Sequence, residues 1–216
     1  MLNIDMNKQC MIDSNNESWQ PSPREGVWRK PLAREEAERG HATSIVRYDA
    51  GASFHAHNHP AGEEILVLSG TFSDETGNFG AGTYFRNPAG FRHAPFSERG
   101  CELFVKLHQF QSSDDVRVQI NSEDASLWKR DQEFARLRLH EHNVETVDLY
   151  QSSKPNIALR LTANSEVLVL DGKISVGEYE SQLRGPGVWL RFPVEHPVQL
   201  NFLEAKTRVW IKRGHF

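Results

Sequence analysis

The sequence predicts an all-β fold, a sandwich or barrel domain present twice in tandem. Three observations carry that reading. From about residue 20 to 110, short apolar runs (Thr43 to Tyr48, Glu64 to Leu68, Thr83 to Arg86, Leu103 to Leu107) alternate with Gly, Pro and Asn clusters, the spacing of strands joined by turns. Blocks of this half then return in the same order. Glu64-Ile65-Leu66-Val67-Leu68-Ser69-Gly70 recurs as Glu166-Val167-Leu168-Val169-Leu170-Asp171-Gly172, Gly80 to Pro88 recurs as Gly185 to Pro193, and Leu103 to Lys106 recurs as Val209 to Lys212, at offsets of 102, 105 and 106. Ordered matches of this kind are the mark of a duplication. Helix candidates are few and short: Leu32 to Arg39, rich in helix formers, and one turn near Ser122 to Trp128.

In chain order, residues 1–20 are polar and aperiodic and read as a flexible tail. Residues 21–111 form the first domain, the polar and charged stretch 112–138 a linker, and residues 139–216 the second domain. Repeated glycines mark turns that need positive φ, and repeated apolar runs mark core strands. The chain has 216 residues, 38% of them hydrophobic, and a formal charge of −4 with both signs interspersed. It therefore has no basic footprint for nucleic acid. No apolar run approaches the length of a membrane span, and Met1 to Lys8 lacks the order of a secretory signal. The two cysteines, Cys10 and Cys101, suggest no disulfide framework. The expected location is a reducing cytoplasm.

The chemistry concentrates in His57-Asn58-His59-Pro60-Ala61-Gly62-Glu63, answered thirty residues later by Pro88-Ala89-Gly90-Phe91-Arg92-His93. Two histidines two apart on a strand share a face, with Cα atoms roughly 6.6 Å apart. The Pro-Ala-Gly turn swings Glu63 back beside them, and His93 arrives from another strand behind a second such turn. Three imidazoles and a carboxylate suit one divalent transition metal. His55 shares the parity of His57 and His59, but positions 55 and 59 lie roughly 13 Å apart on a straight strand. It is left as an inward-facing residue, either supporting the ligands from behind or lining the pocket.

These two blocks resemble the two motifs of the cupin family, and the stretch from His57 to Leu107 is most similar to the cupin domain of ChrR-type anti-sigma factors. The resemblance is strong over residues 20–110 and weaker over 140–216. It implies two tandem jelly-roll-type barrels, with one metal per chain held inside the first by His57, His59, Glu63 and His93. Zinc is the first expectation, with iron or manganese after it. Ser97 departs from the Asn usual in the second motif, at a position that is not a ligand.

The second copy is expected to be degenerate: on the offset that aligns Glu64 with Glu166, Glu63 becomes Ser165 and the two histidines become Leu159 and Leu161. His140-Glu141-His142 with Glu145 imitates a metal motif without its turn or its distant histidine, and His196 is isolated. Neither is expected to bind metal. Glu64 is expected to face outward, Asp74 and Glu75 to be solvated, Tyr84, Phe91 and Phe96 to pack, and Cys101 to be a buried thiol. Arg86, Arg191, Lys106 and Lys212 recur and are read as structural.

For function, the resemblance implies a sensory or regulatory module of the oxidative-stress kind. The amino-terminal sigma-binding zinc domain of that family, with its His and Cys-x-x-Cys motif, has no counterpart in these residues. The alternative is a mononuclear metal-dependent dioxygenase acting on a small organic molecule; a binding cupin without turnover is a third reading. Expected partners are a regulatory protein or a small ligand, with homodimer formation, and neither nucleic acid nor membrane.

Overall fold

The structure, a computed structural model, describes residues 1–35, 40–161, 164–177, 179–193 and 197–216, with the backbone alone for 179–182. Strands dominate, and two single 3-10 turns, Ser14–Asn16 and Ala125–Leu127, are the helical elements among the described residues. No helix among them is long and apolar enough to cross a membrane. The chain divides into two compact units, residues 1–4 with 17–123, and residues 5–16 with 124–216.

In the first unit the antiparallel order is Val118–Asn121, Thr83–Asn87, Glu63–Asp74, Cys101–Leu107, Ala42–Tyr48, Val27–Arg34, Gln20–Pro21. A separate two-stranded ladder pairs His57–His59 with Phe91–His93. Inward side chains form one core that includes Val27, Ile65, Val67, Phe85, Leu103 and Val105. At a full burial value of about 25 cal/mol per Å², each such side chain contributes about 1.5–3 kcal/mol.

Two bulges break the alternation that a sequence reading assumes. Leu103 pairs with Val67 while Glu102 pairs with Ser69, so Leu68 is the extra residue, and parity flips beyond it. Phe72 consequently joins Ile65 and Val67 in the core. A second register shift lies between Pro31 and Ala33.

The second unit repeats the plan. Its larger sheet runs Cys10–Asp13, Val188–Phe192, Ser165–Asp171, Arg208–Arg213, Glu145–Ser152, Phe134–His142, Lys129–Arg130, and a four-stranded sheet faces it. Its core includes Leu161, Val167, Leu190, Leu200, Phe202 and Ile211.

Several expectations need correction. The polar tail is not a free end: Cys10–Asp13 pairs antiparallel with Val188–Arg191, because an extended segment with Met11 and Ile12 satisfies an otherwise open sheet edge. The linker also contributes a strand, since Val118–Asn121 pairs with Thr83–Arg86. The helix candidate begins with Leu32 to Arg34 in a strand; residues 36–39 lie outside the described residues. The expected turn near Ser122 to Trp128 is present as Ala125–Leu127, capped by Asp124, whose side chain accepts from the Ser126 N–H. Of the repeated glycines, Gly70 and Gly172 have φ of 72° and 71°. A Cβ on Gly70 would sit 2.1 Å from the Gly100 carbonyl oxygen, so both the φ and the close approach require glycine. Gly80 and Gly185 do not take positive φ.

Glu64 is the largest correction. It faces away from the barrel lumen but is 3% exposed, and Arg86 beside it is 0% exposed. The Arg86 guanidinium donates to Glu64 at 3.0 Å and to Asp114 at 2.9 and 2.5 Å. Phe110 stacks on it at 3.9 Å. The outward face is thus closed by the segment that carries Phe110 and Asp114. Three buried charges are tolerable there because the guanidinium is hydrogen-bonded to both carboxylates. The second copy keeps the ladder positions, with Glu166 between Arg191 and Lys212, but its side-chain partners differ. Glu166 accepts from Trp189 at 3.1 Å and faces His215 at 3.0 Å, and Arg191 donates to the Asp5 carbonyl at 2.9 Å.

Candidate metal centre

Two Pro-Ala-Gly turns bring the ligands together. After Pro60-Ala61, Gly62 takes φ of 81°, and after Pro88-Ala89, Gly90 takes φ of 83°. The Gly90 N–H donates to the His59 carbonyl at 2.8 Å, which ties the second turn to the first strand. His93 is then the ladder partner of His57, and Phe91 that of His59. Ring centroids of His57, His59 and His93 lie 4.7, 5.6 and 5.0 Å apart. One ligand atom from each falls within 4.8 Å of the others, the one such three-donor group found among the described residues.

Glu63 stands against this trio on one side. Its Oε2 is 3.5 Å from His59 Nε2 and 3.4 Å from His93 Nε2, and those two nitrogens are 3.0 Å apart. Ligand atoms bound at about 2.0–2.1 Å to one ion lie about 3.0–3.4 Å from each other at adjacent positions. The His59, His93 and Glu63 separations are those of donors that could share one ion, while His57 joins the two other histidines in the group whose ligand atoms lie within 4.8 Å.

Neighbouring groups set the tautomers. His57 Nδ1 faces the His55 carbonyl at 2.9 Å, and His93 Nδ1 faces Asp74 Oδ2 at 3.4 Å. A proton held on each Nδ1 leaves Nε2 with its lone pair toward the centre. Asp74 is in turn fixed by the Thr76 N–H and hydroxyl, which donate to its Oδ1 at 2.7 and 2.6 Å. Glu75 is exposed, yet it accepts from the Ala94 N–H at 2.9 Å and anchors the chain just after His93.

Sequence reasoning missed Asp74 as a partner. It expected a solvated turn residue, whereas Asp74 is 6% exposed because the bulge at Leu68 turns it inward. The signal that could have found it is the Asp-x-Thr turn pattern at Asp74 to Thr76. His55 was expected to face inward, in the pocket or behind the ligands; its ring is exposed, and it supports His57 through its carbonyl.

Burial opposes the charge on Glu63, but His59 and His93 outweigh it and hold its carboxyl at about 2, with Asn87 helping through a donated hydrogen bond. His59 is pushed down by burial, which keeps it neutral. His93 is opposed by burial but raised by the carboxylates of Glu63 and Asp74. Tyr48 is pushed well up by burial and then by the charge of Glu63, so its phenol stays protonated.

A depressed carboxyl stabilises the fold above its unfolded value and loses that contribution as pH falls toward its folded value. For Glu63 the window runs from 4.5 down to about 2, an effect on the order of 3 kcal/mol. In metal-free protein, acid denaturation followed by tryptophan fluorescence should be blunted over that window in Glu63→Gln. An identical acid response in the two proteins would contradict the pairing.

Among its described residues the second unit carries no such centre. The ladder pair His57 with His93 becomes Leu159 with Leu200, and His59 with Phe91 becomes Leu161 with Val198. Leu161 and Leu200 are fully buried, and Leu159 packs against the same core. The His140 and His142 rings stack 6.5 Å apart without entering any three-donor group among the described residues; His196 lies outside them.

The centre opens into a cavity of about 490 Å³ lined by His57, His59 and Glu63 and otherwise mostly by apolar side chains such as Tyr48, Phe54, Phe72 and Leu103. Cys101 is buried at 4% exposure, and burial pushes its thiol up to about 11, as expected of an unreactive strand cysteine.

Residues 7–111 match the family described as the ChrR cupin-like domain. The first barrel is a ChrR-type cupin. Solved structures agree on the fold of the whole chain. A protein of Nostoc punctiforme named as a candidate dioxygenase superposes with a TM-score of 0.76 at 15% identity, covering 95% of this chain and 82% of its own. A bacterial pirin from Escherichia coli in complex with nickel(II) gives 0.68 at 12% identity, covering 95% and 98%. A variant of the oxalate decarboxylase of Bacillus subtilis, an enzyme with Mn(II) centres, gives 0.66 at 11% identity, covering 94% and 76%. No curated protein matches the chain. At these identities the likeness is one of architecture: the chain has the fold of two tandem cupin barrels.

Proposed function

We propose that this tandem cupin is a mononuclear metal-dependent enzyme of the dioxygenase type, acting on a small organic molecule in its first barrel. His57, His59, Glu63 and His93 hold one divalent ion. The observation that carries the reading is the cavity of about 490 Å³ that ends on His57, His59 and Glu63, a volume in the range of small-molecule sites. Four protein ligands leave up to two positions on a six-coordinate ion. When bound, the ion supplies Lewis-acid polarisation and, if it is iron, one-electron chemistry with oxygen. The chain's own residues do the rest. His55 and Asp74 aim two imidazoles, Glu63 offsets part of the ion's charge, and Tyr48 offers a hydroxyl donor inside the cavity. The apolar walls keep the reacting molecule away from bulk water.

A second reading is a sensor in which the same ion responds to an oxidant and the barrel signals to a protein partner. The match to the ChrR cupin-like domain favours it. Elemental analysis of protein purified anaerobically without chelators, followed by oxygen uptake with diketones and phenols, separates the two. Bound iron at about one per chain with substrate-dependent uptake supports the enzyme. Stoichiometric zinc with no uptake favours the sensor, and protein that takes up no metal overturns both.

A further inference from the structure

The strand Ala42–Tyr48 puts two hydroxyls on the cavity wall. Ser44, Val46 and Tyr48 are two residues apart and share one face of the strand, and all three line the cavity. Ser44 is 7% exposed and Tyr48 6% exposed, yet neither hydroxyl has a hydrogen-bond partner among the described residues. The other polar groups of the wall differ in this respect. His59 and Glu63 meet each other and His93 at the metal centre, and the half-buried Arg29 and Arg34, which also line the cavity, have partners.

Buried polar groups in native proteins are nearly always paired, because burial strips a hydroxyl of water and returns nothing. Phenylalanine and alanine would fill the same two places without that cost. Two buried hydroxyls that face an accessible cavity are therefore placed to pair with what enters it.

The surroundings set the shape of the visitor. The Tyr48 ring lies 5.8 Å from Phe54 and 6.1 Å from Phe72, centroid to centroid. Phe54 in turn lies 5.5 Å from His57, and Phe72 lies 6.1 Å from His93. One aromatic ring thus separates Tyr48 from each of two imidazoles of the centre. Val46, Ile65, Leu103 and Val105 add aliphatic surface to the wall around the hydroxyls. Along the strand, Ser44 and Tyr48 are roughly 13 Å apart at Cα. Their side chains stand roughly perpendicular to the sheet, so the two hydroxyls address different atoms with an apolar stretch between them. Both are neutral, and the Tyr48 phenol keeps its proton. Such groups suit a carbonyl or hydroxyl oxygen, whereas an ionised group set against them would be buried without a counter-charge.

We propose that the first barrel binds an uncharged molecule with an apolar, ring-sized body and two oxygen functions, hydroxyl or carbonyl, one paired with Tyr48 and the other with Ser44. This rests on the reading of the cavity as a small-molecule site and names its class of ligand. The hydroxyl contacts do not depend on which ion the centre holds.

The test is calorimetric titration of the full-length protein with 4-hydroxyacetophenone, which carries both oxygens, and with 4-methylacetophenone and 4-ethylphenol, which each lack one. The first should bind about tenfold tighter than either analogue, the effect of one buried hydrogen bond. Tyr48→Phe with Ser44→Ala should bind all three equally. The same double variant should melt no lower than the parent, since neither hydroxyl has an internal partner to lose. Equal affinities in the parent, no binding of 4-hydroxyacetophenone, or a preference that survives the double substitution would overturn the proposal. So would a melting temperature lowered by more than about 4 °C, which would make the hydroxyls structural. Metal content is measured on the same samples. A chain that takes up no metal would sink the metal-centre reading and leave the hydroxyl-dependent preference standing.

Discussion

Replacing His93 with alanine should strip the metal from the protein. His93 is 1% exposed, supplies a ring nitrogen 3.0 Å from that of His59, and is the partner of two carboxylates, Glu63 at 3.4 Å and Asp74 at 3.4 Å. Its loss removes one ligand and leaves both carboxylates buried without the imidazole that supports their charge. Metal per chain should fall from about one toward zero after dialysis, because a three-histidine centre reduced to two loses both a bond and its geometry. Destabilisation of the metal-free protein should add to this, at about 3 kcal/mol for a buried carboxylate deprived of its partner. Asp74→Asn keeps the ligand but weakens its aim, and about 10–100-fold in metal affinity is the expected cost. His142→Ala, at a pair of stacked rings outside any donor group, should leave metal content untouched. Full metal retention in His93→Ala would remove this residue from the centre.

Arg86→Ala should produce the largest loss of stability of any single change outside the site. The guanidinium is wholly buried between Glu64 and Asp114, so its removal takes away the cation that the two carboxylates share, and Phe110 loses its stacked partner. Breaking a buried pair costs about 3–5 kcal/mol, against a total domain stability of about 5–15 kcal/mol. Denaturant unfolding should therefore show a midpoint shift that approaches loss of the native state at 37 °C. Replacing Arg86, Glu64 and Asp114 together with apolar residues of similar volume should recover much of the deficit, because the desolvation cost disappears with the charges. A loss below about 1 kcal/mol in the single variant would mean that the triad is screened as a surface pair is. The ladder also puts Asn87 opposite Glu63 and Arg86 opposite Glu64, so the same variant should loosen the metal site from behind.

The recurring Arg86 and Lys106 positions were readable as structural because the second copy keeps them as Arg191 and Lys212 without the histidines. Their depth was not readable. A charged residue of outward parity is ordinarily solvated, and only the fold reveals the segment with Phe110 and Asp114 lying over it. The two bulges had the same effect on the inward face. Strict alternation from Glu63 places Asp74 outside and sets Arg29 and Arg34 on opposite sides, whereas one extra residue in each strand reverses both conclusions.

What the sequence determined by itself was local or repeated: an all-β chain, a duplication, and a His-x-His-Pro-Ala-Gly-Glu block whose strand parity and turn chemistry point its donors one way. Those features depend on neighbours a few residues apart, and short-range geometry governs them. What only the tertiary structure decided was which distant groups meet. It paired His93 with His57, put Asp74 behind His93, brought Arg29 and Arg34 to one wall, and laid residues 10–13 along a strand of the second barrel. Each of these depends on register and bulges, where a shift of one residue exchanges the inside of a sheet for its outside.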